Sequence, residues 1–263
     1  MSLLLAKAFS SMLHKKPTAT YFGDLQLYRA ISNENDITAV HLADLLRNHT
    51  PQRLLDLGCG DGTLTNKVAL SLGIRNLGLT AIDIDAHMCE AAKRNVDLDG
   101  IFSDASIITG DISDHLPGIW QNVDIAMMVH VNYFMEDEQF VHLIDTLPRG
   151  VQFVFVVDKE DSVFSQLWAR TARPYWEHAR FANAHIEGRT DIEMNKSVIR
   201  SSIRNPTRFP NPDDCDRLLS FLTYSNIRAA SSADRAWVLE TVNKSAVHDK
   251  ILVETNCYSI RKR

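Results

Sequence analysis

Leu54-Leu55-Asp56-Leu57-Gly58-Cys59-Gly60-Asp61-Gly62-Thr63 is the stretch that decides the fold. A short apolar run ends on a carboxylate, three glycines follow at alternate positions, and a helical pattern begins. Alternate glycines permit positive φ angles and carry no Cβ, so backbone N–H groups can approach a ligand closely at a helix N-terminus. The stretch therefore predicts a loop that binds a nucleoside cofactor.

The spacing of the glycines distinguishes between cofactors. A dinucleotide fingerprint, G-x-G-x-x-G, needs a third glycine where Thr63 stands. Asp56, two residues before Gly58, is a poor neighbour for a pyrophosphate and a good one for an ammonium group. The pattern favours S-adenosylmethionine (SAM), which carries an ammonium, a carboxylate and a sulfonium. The alternative is an ordinary glycine-rich turn.

The form D-x-G-x-G-x-G resembles the first motif of class I SAM-dependent methyltransferases. The resemblance covers residues 54–157 and implies SAM binding, methyl transfer and release of S-adenosylhomocysteine (SAH). It does not identify the methyl acceptor. Within the loop it assigns cofactor contacts to Asp56, Gly58, Cys59 and Gly60.

Composition limits the possible partners. The 263 residues are 45% hydrophobic, which suits one domain, and the net charge of -5 provides no overall basic surface for long nucleic acid. We therefore expect a small-molecule acceptor. Four cysteines without C-x-x-C spacing predict neither a metal site nor disulfides, and a cytoplasmic location is the default. Met1–Lys7 is too short for a signal sequence, and no apolar run is long enough for a membrane span. The oligomeric state is left open.

Apolar periodicity predicts two helices between residues 21 and 48, then alternating strands and helices. The predicted strands are 53–57, 77–82, 105–109, 123–129 and 151–157. The order indicates an α/β, Rossmann-like, doubly wound and mainly parallel sheet with ligands at the carboxyl ends of its strands. A helical C-terminal insertion and a closing strand at 251–260 follow, and Pro174 is expected to end or kink a helix over 162–180.

We expect one domain over residues 1–263. Its predicted parts are N-terminal helices at 1–50, a cofactor-binding core at 51–160, a helical lid or substrate region at 161–250 and the closing strand at 251–263.

Acids follow two further strands. Asp83 comes 21 residues after Gly62, near the spacing at which a strand-end acid accepts the ribose hydroxyls in nucleoside-binding sheets. Asp85 suits instead a cap on the next helix. In the methyltransferase pattern, an acid after the third strand accepts the adenine amino group, which assigns Asp111. The residues after these two acids, Ile84 and Ile112, are predicted to contact the cofactor as well.

The fourth strand ends at Val129, which is predicted to contact the adenosyl group, and leads into His130. Methyl transfer requires an acceptor lone pair held in line with the S–CH₃ bond, about 3 Å away. An amine must first lose a proton, and a histidine with a pKa near ~6.5 can accept it. His130 is therefore the candidate base, with a structural role as the alternative.

A fainter likeness, carried by His130-Val131-Asn132-Tyr133-Phe134, the late paired helices and a terminal Thr255–Ile260, is to histamine N-methyltransferase. By position, that resemblance implies substrate-holding roles for Glu34, His130 and Asn256. A ring that can carry a proton stands at 130 where that family has an amide, so we expect an acceptor other than histamine.

Aromatic rings suit planar or cationic acceptors, and Tyr133, Phe134 and Trp176 are the candidates for a pocket wall, with core packing as the alternative. The leading prediction is methyl transfer to a small-molecule amine. The alternatives are O-methylation of a carboxylate or hydroxyl, modification of RNA or protein by the same fold, and a non-catalytic SAM-binding regulatory module.

Overall fold

The computed structural model describes residues 18–47, 49–96, 100–116 and 118–263. The prediction for Met1–Lys7 lies outside these residues. Among the described residues, no helix has both the length and the apolar character that crossing a bilayer requires.

The structure is built on one eight-stranded sheet. Its strands are β1 Arg53–Leu57, β2 Leu77–Asp83, β3 Phe102–Thr109, β4 Ile125–Val129, β5 Gln152–Asp158, β6 Ile192–Arg204, β7 Ala246–Val247 and β8 Lys250–Lys262. The α-helices are α1 Thr18–Ile31, α2 Glu34–Leu46, α3 Thr63–Leu72, α4 Ala86–Val96, α5 Ile112–His115, α6 Asp137–Asp145, α7 Val163–Thr171, α8 Arg173–Glu187, α9 Pro212–Leu222 and α10 Ser232–Lys244. Within the described ranges, 3₁₀ turns lie at Asn132–Phe134 and Pro206–Arg208.

The strand order is β3-β2-β1-β4-β5-β8-β6, with β7 paired to β8. Strands β1 to β5 are parallel, and β8 runs antiparallel between β5 and β6. The predicted mainly parallel, Rossmann-like sheet is therefore confirmed. The chain order reverses between β1 and β4, and open sheets of this kind bind ligands in the crevice beside such a reversal.

Both faces of the central strands are buried, which explains their continuous apolar runs. All seven residues of β5 are buried. Phe155 packs in one hydrophobic cluster together with the late helices, and its neighbour Val154 packs in a second cluster on the other face. Because neighbouring residues of a strand point to opposite faces, helices must cover the sheet on both sides.

The region around Pro174 follows the predicted interruption. Helix α7 ends at Thr171, and a separate helix, α8, begins at Arg173 with the proline in its first turn. Proline is tolerated there because its missing N–H would have no partner inside the helix. The turn changes the chain direction and brings α8 against the 3₁₀ turn that follows β4.

The start of α2 is anchored to β6. The side chain of Asn33 accepts a hydrogen bond from the Ser202 backbone N–H at 2.7 Å, and the Asn33 backbone N–H donates to the Ser202 carbonyl at 3.2 Å. These bonds fix the position of the next residue, Glu34, relative to the sheet.

Candidate active site

A cavity of about 480 Å³ lies at the carboxyl ends of β1, β2, β4 and β5. One end is formed by the glycine loop and the acids that follow the strands. The other end is lined by acidic and aromatic side chains from α1, α2, β5, α7 and α9. All nine residues predicted to contact the cofactor line this cavity: Asp56, Gly58, Cys59, Gly60, Asp83, Ile84, Asp111, Ile112 and Val129.

Gly58 allows the loop to leave β1 and pass under the segment after β4. Its φ of +76° lies in the left-handed region, and a Cβ added there would stand 2.2 Å from Cγ2 of Val131. The N–H groups of Gly58 and Cys59 both donate to the carbonyl of Ile82, at 2.7 and 3.1 Å. The loop is thus tied to the end of β2, and alanine at position 58 would separate it from Val131.

Gly60 presents bare backbone to the cavity. A Cβ added to it would meet no atom within 4 Å, and its N–H donates to Oδ2 of Asp83 at 2.8 Å. The other oxygen of Asp83 accepts from the backbone N–H of Asp85 at 2.9 Å. Burial raises the pKa of Asp83 against these two hydrogen bonds. Asp85 caps α4, as predicted, by accepting from the His87 N–H at 2.8 Å.

Asp56 is buried, and its Oδ2 accepts a hydrogen bond from the Thr65 hydroxyl at 2.5 Å. Burial raises the pKa of Asp56 to about 7, with the Asp83 carboxylate adding to the rise and Thr65 opposing it. A buried carboxylate of this kind is stabilised in its charged form by a cation, which is the role expected from its place before the glycines.

Asp111 caps the short helix α5. One of its oxygens accepts from both the backbone N–H and the hydroxyl of Ser113, each at 2.8 Å. This cap fixes the carboxylate at the rim of the cavity and leaves its second oxygen outside the helix cap.

His130 occupies the other end of the cavity, at the tip of β4. Its φ of +58° is unusual for a residue with a side chain, and its N–H continues the β4–β5 pairing by donating to the Val156 carbonyl at 3.0 Å. Nδ1 lies 2.7 Å from the Tyr133 hydroxyl, and Nε2 lies 3.0 Å from Oε1 of Glu34. The left-handed turn thus directs the ring between the Tyr133 hydroxyl and the Glu34 carboxylate.

The acids on either side of His130 are themselves bound by tyrosines. The Tyr133 hydroxyl donates to Oδ2 of Asp158 at 2.6 Å, and the Tyr28 hydroxyl donates to Oε2 of Glu34 at 2.6 Å. Burial alone would lower the pKa of His130, but Glu34 and Asp158 outweigh it and raise the pKa to about 10. Both carboxylates therefore favour the protonated ring in the substrate-free site over the neutral ring that a free base requires.

Aromatic rings close this end of the cavity. Of the predicted wall residues, Tyr133 and Phe134 line it. Trp176 does not line it: the ring is partly buried against the hydrophobic core, and the Arg180 guanidinium lies 5.5 Å from its centroid. The rings that complete the wall are Tyr28, Phe164, Trp168, Phe221 and Tyr224.

Asn256 does not reach the cavity either. It is buried in β8, and its amide N–H donates to the side chain of Asn183 at 2.8 Å. Asn183 in turn donates to the Asp158 carbonyl at 3.2 Å, so it separates Asn256 from the cavity wall. Asn256 therefore does not have the expected direct contact with a substrate. It contacts Asn183, which in turn contacts Asp158 of the cavity wall.

Two charged residues of the cavity were not singled out from the sequence. Asp158 follows an apolar strand just as Asp56, Asp83 and Asp111 do, so the strand-end signal was present. Arg29 lies in a helical pattern, and no neighbouring residue in the sequence indicates a role in the site. In the folded protein its ion pair with Asp61 holds it beside the glycine loop.

Comparison with known proteins agrees with this geometry. A family model described as "Methyltransferase domain" matches residues 54–152. The ribosomal RNA small subunit methyltransferase C of Chromohalobacter salexigens is 33% identical over 84 residues, which are 31% of this chain and 24% of that protein. The match thus spans about a quarter of the length of that relative.

Solved structures share the fold. A putative methyltransferase from Bacillus halodurans C-125 aligns with a TM-score of 0.57 at 14% identity, covering 85% of this chain and 98% of that one. The plantazolicin methyltransferase BamL, solved with a triazolic desmethylPZN analog and SAH, aligns with a TM-score of 0.54 at 15% identity, covering 95% and 92%. Residues 54–152 therefore form a methyltransferase domain, and the sheet around them has the class I fold of SAM-dependent methyltransferases.

Proposed function

We propose that this protein transfers the methyl group of SAM to a nitrogen atom of a small-molecule amine. The observation that carries the proposal is the single cavity in which the glycine loop and strand-end acids meet an acidic, aromatic chamber. A cofactor at one end and an acceptor at the other would then share one enclosed space, as direct methyl transfer requires.

The residues of the glycine-loop end match the groups of SAM. The bare backbone at Gly60 leaves room for a ligand. Asp83 and Asp111 line the same cavity, and their carboxylates would accept hydrogen bonds from ribose and adenine. Asp56 suits the ammonium of the amino-acid tail. Arg29, a cation on the cavity wall, suits its carboxylate.

The bound cofactor would supply an activated methyl group, so the protein need not generate an electrophile. The contribution of this chain is to hold the acceptor nitrogen in line, exclude water and manage the nitrogen's proton. The rings of Tyr133, Phe164 and Trp168 exclude water, and Glu34 and Asp158 provide the negative charge that holds a cation.

The charge of the chamber supports an amine over an acid. Glu34, Asp158 and the His130 imidazolium together carry a net charge of about −1 on the cavity wall. A carboxylate acceptor would meet two carboxylates there, whereas Arg29 pairs with Asp61 of the glycine loop, on the cofactor side. O-methylation of a carboxylate is therefore disfavoured. Because α1 and α9 contribute wall residues, the chamber suits a small molecule better than a nucleic acid strand.

Titration calorimetry with SAH tests the cofactor site. We expect binding to the unmodified protein, weaker binding to Asp83→Ala and unchanged binding to Asp104→Ala, a matched change at an exposed acid that pairs with Arg53. Absence of SAH binding, or equal affinities for all three proteins, would refute the cofactor assignment.

Isotope-labelled SAM with panels of amines, alcohols and carboxylic acids tests the acceptor. We expect label in amines only. Labelling confined to acids or alcohols would replace the proposal by O-methylation, and SAH binding without turnover on a cell extract would favour a non-catalytic module.

A further inference from the structure

His130 is held in a setting that favours protons on both ring nitrogens. The Tyr133 hydroxyl has one proton, which it donates to Asp158, so its contact with Nδ1 at 2.7 Å requires an N–H on the ring. Nε2 lies 3.0 Å from a Glu34 oxygen, where a lone pair would be repelled. The Tyr133 hydrogen bond thus assigns a proton to Nδ1, and the Glu34 carboxylate beside Nε2 favours a second proton there.

Charged and titratable side chains from several elements line the cavity around this ring. Helix α1 supplies a tyrosine and an arginine, α2 a glutamate, the 3₁₀ turn a tyrosine and β5 an aspartate. They are Tyr28, Arg29, Glu34, Tyr133 and Asp158. The arginine is bound to Asp61, so His130 is the cation that lies between the two carboxylates.

The arrangement leaves hydrogen-bonding capacity unused. Oδ1 of Asp158 is buried and has no hydrogen-bond partner among the described residues. Nε2 of His130 forms an ion pair with Glu34 but no well-aligned hydrogen bond within the described part of the chain. Buried polar atoms without partners are uncommon, and an ammonium group, with three N–H donors and no acceptor, offers the donors that Asp158 lacks.

We propose that protonated His130 is the resident cation of the acceptor site. A cationic acceptor takes over this role when it binds, and His130 then releases its proton. This inference rests on the proposed function. The acceptor ammonium would then occupy the space beside Glu34 and Asp158, next to a neutral imidazole.

The proton and electron balance is complete within the site. His130 first loses one proton to solvent as the ammonium binds. The neutral ring then takes one proton from the ammonium, which becomes an amine. That proton restores the imidazolium. The amine lone pair forms the N–CH₃ bond while the S–CH₃ bonding pair returns to sulfur, and the methylated ammonium then leaves.

This exchange makes acceptor binding dependent on pH. With the pKa of His130 raised to about 10, displacing its proton at about pH 7.5 opposes binding by a factor of up to about 300. The factor falls about tenfold for each unit that pH rises, until His130 titrates. An enzyme with this device binds cationic acceptors more tightly in mildly alkaline solution.

The test uses the SAH complex, which cannot transfer a methyl group, and 2-phenylethylamine as the probe. Affinities are measured by calorimetry at about pH 6.5, 7.5 and 8.5, a range in which an alkylammonium keeps its proton. We expect the association constant to rise close to tenfold per pH unit in the unmodified protein. His130→Gln should bind more tightly at about pH 6.5 and show no such rise.

His178→Gln is the matched control. His178 also pairs with a carboxylate, Asp137, at 2.8 Å, but it does not line the cavity, so this variant should keep the unmodified slope. A flat profile in the unmodified protein, an equal slope in His130→Gln, or no probe binding would overturn the proposal. SAH binding, measured first, fails only if the cofactor assignment is wrong.

Nitrogen NMR gives a second readout that needs no acceptor. At about pH 8 the histidine spectrum should contain the signal of a ring with both nitrogens protonated that disappears in His130→Gln. Adding the probe to the SAH complex should convert that ring to the neutral form. A His130 ring already neutral at this pH would refute the inference even if the variant failed to fold.

Discussion

Replacing Gly58 by alanine is expected to destabilise the protein by about 2–5 kcal/mol. A side chain at a φ of +76° costs about 1–2 kcal/mol, because the left-handed conformation brings Cβ close to the following carbonyl. The new Cβ would also stand 2.2 and 2.7 Å from the Cγ atoms of Val131, and overpacking of this kind costs about 1–3 kcal/mol.

Gly60→Ala separates these two contributions. Gly60 also has a positive φ, +55°, but a Cβ there meets no atom within 4 Å. It should therefore cost only the backbone term, about 1–2 kcal/mol. The difference between the two variants isolates the contact with Val131.

Urea denaturation followed by tryptophan fluorescence measures both changes, and Val131→Ala combined with Gly58→Ala completes a double-mutant cycle. Removal of both Cγ methyls leaves only the Val131 Cβ, 3.0 Å away, so the coupling should be favourable by about 1–2 kcal/mol. Equal stabilities of the Gly58 and Gly60 variants, or no coupling, would refute this account of the loop.

Three further changes test separate parts of the cavity. Arg29→Gln should weaken SAH binding by about tenfold and leave 5′-methylthioadenosine, which lacks the amino-acid tail, unaffected in the same calorimeter. Asp56→Asn should raise the free energy of unfolding of the free protein by up to about 4 kcal/mol at about pH 8 and not at about pH 3.5. Burial raises the pKa of Asp56 from 3.8 to about 7, so the folded protein binds more protons across that window and loses stability as pH rises. Trp168→Phe should cost about 1–3 kcal/mol in urea, because the Leu222 carbonyl loses its 2.8 Å indole partner.

The cofactor end of the cavity was predictable because its residues are local to strand ends. Asp56, Asp83 and Asp111 each follow an apolar run, and parallel strands deliver their carboxyl ends to one edge. Asp158 likewise ends an apolar run, that of β5. It was not predicted as a site residue, because no role was expected for an acid after the fifth strand.

The acceptor end was harder to predict because its residues come from distant parts of the chain. Glu34, suggested by a faint likeness, and His130, suggested also by its place after the fourth strand, both line the cavity. Asn256 and Trp176 do not line it, since sequence position does not show that Asn183 intervenes or that the Trp176 ring packs against the hydrophobic core.

The sequence by itself determined the sheet, the glycine loop and the order of acids, because period-two and period-3.6 patterns and strand-end residues are properties of short segments. The protonation of His130 was decided only by the tertiary structure. An isolated imidazole titrates near ~6.5, and its charge here depends on Glu34 and Asp158, which lie far from it in sequence and reach it only when the chain is folded.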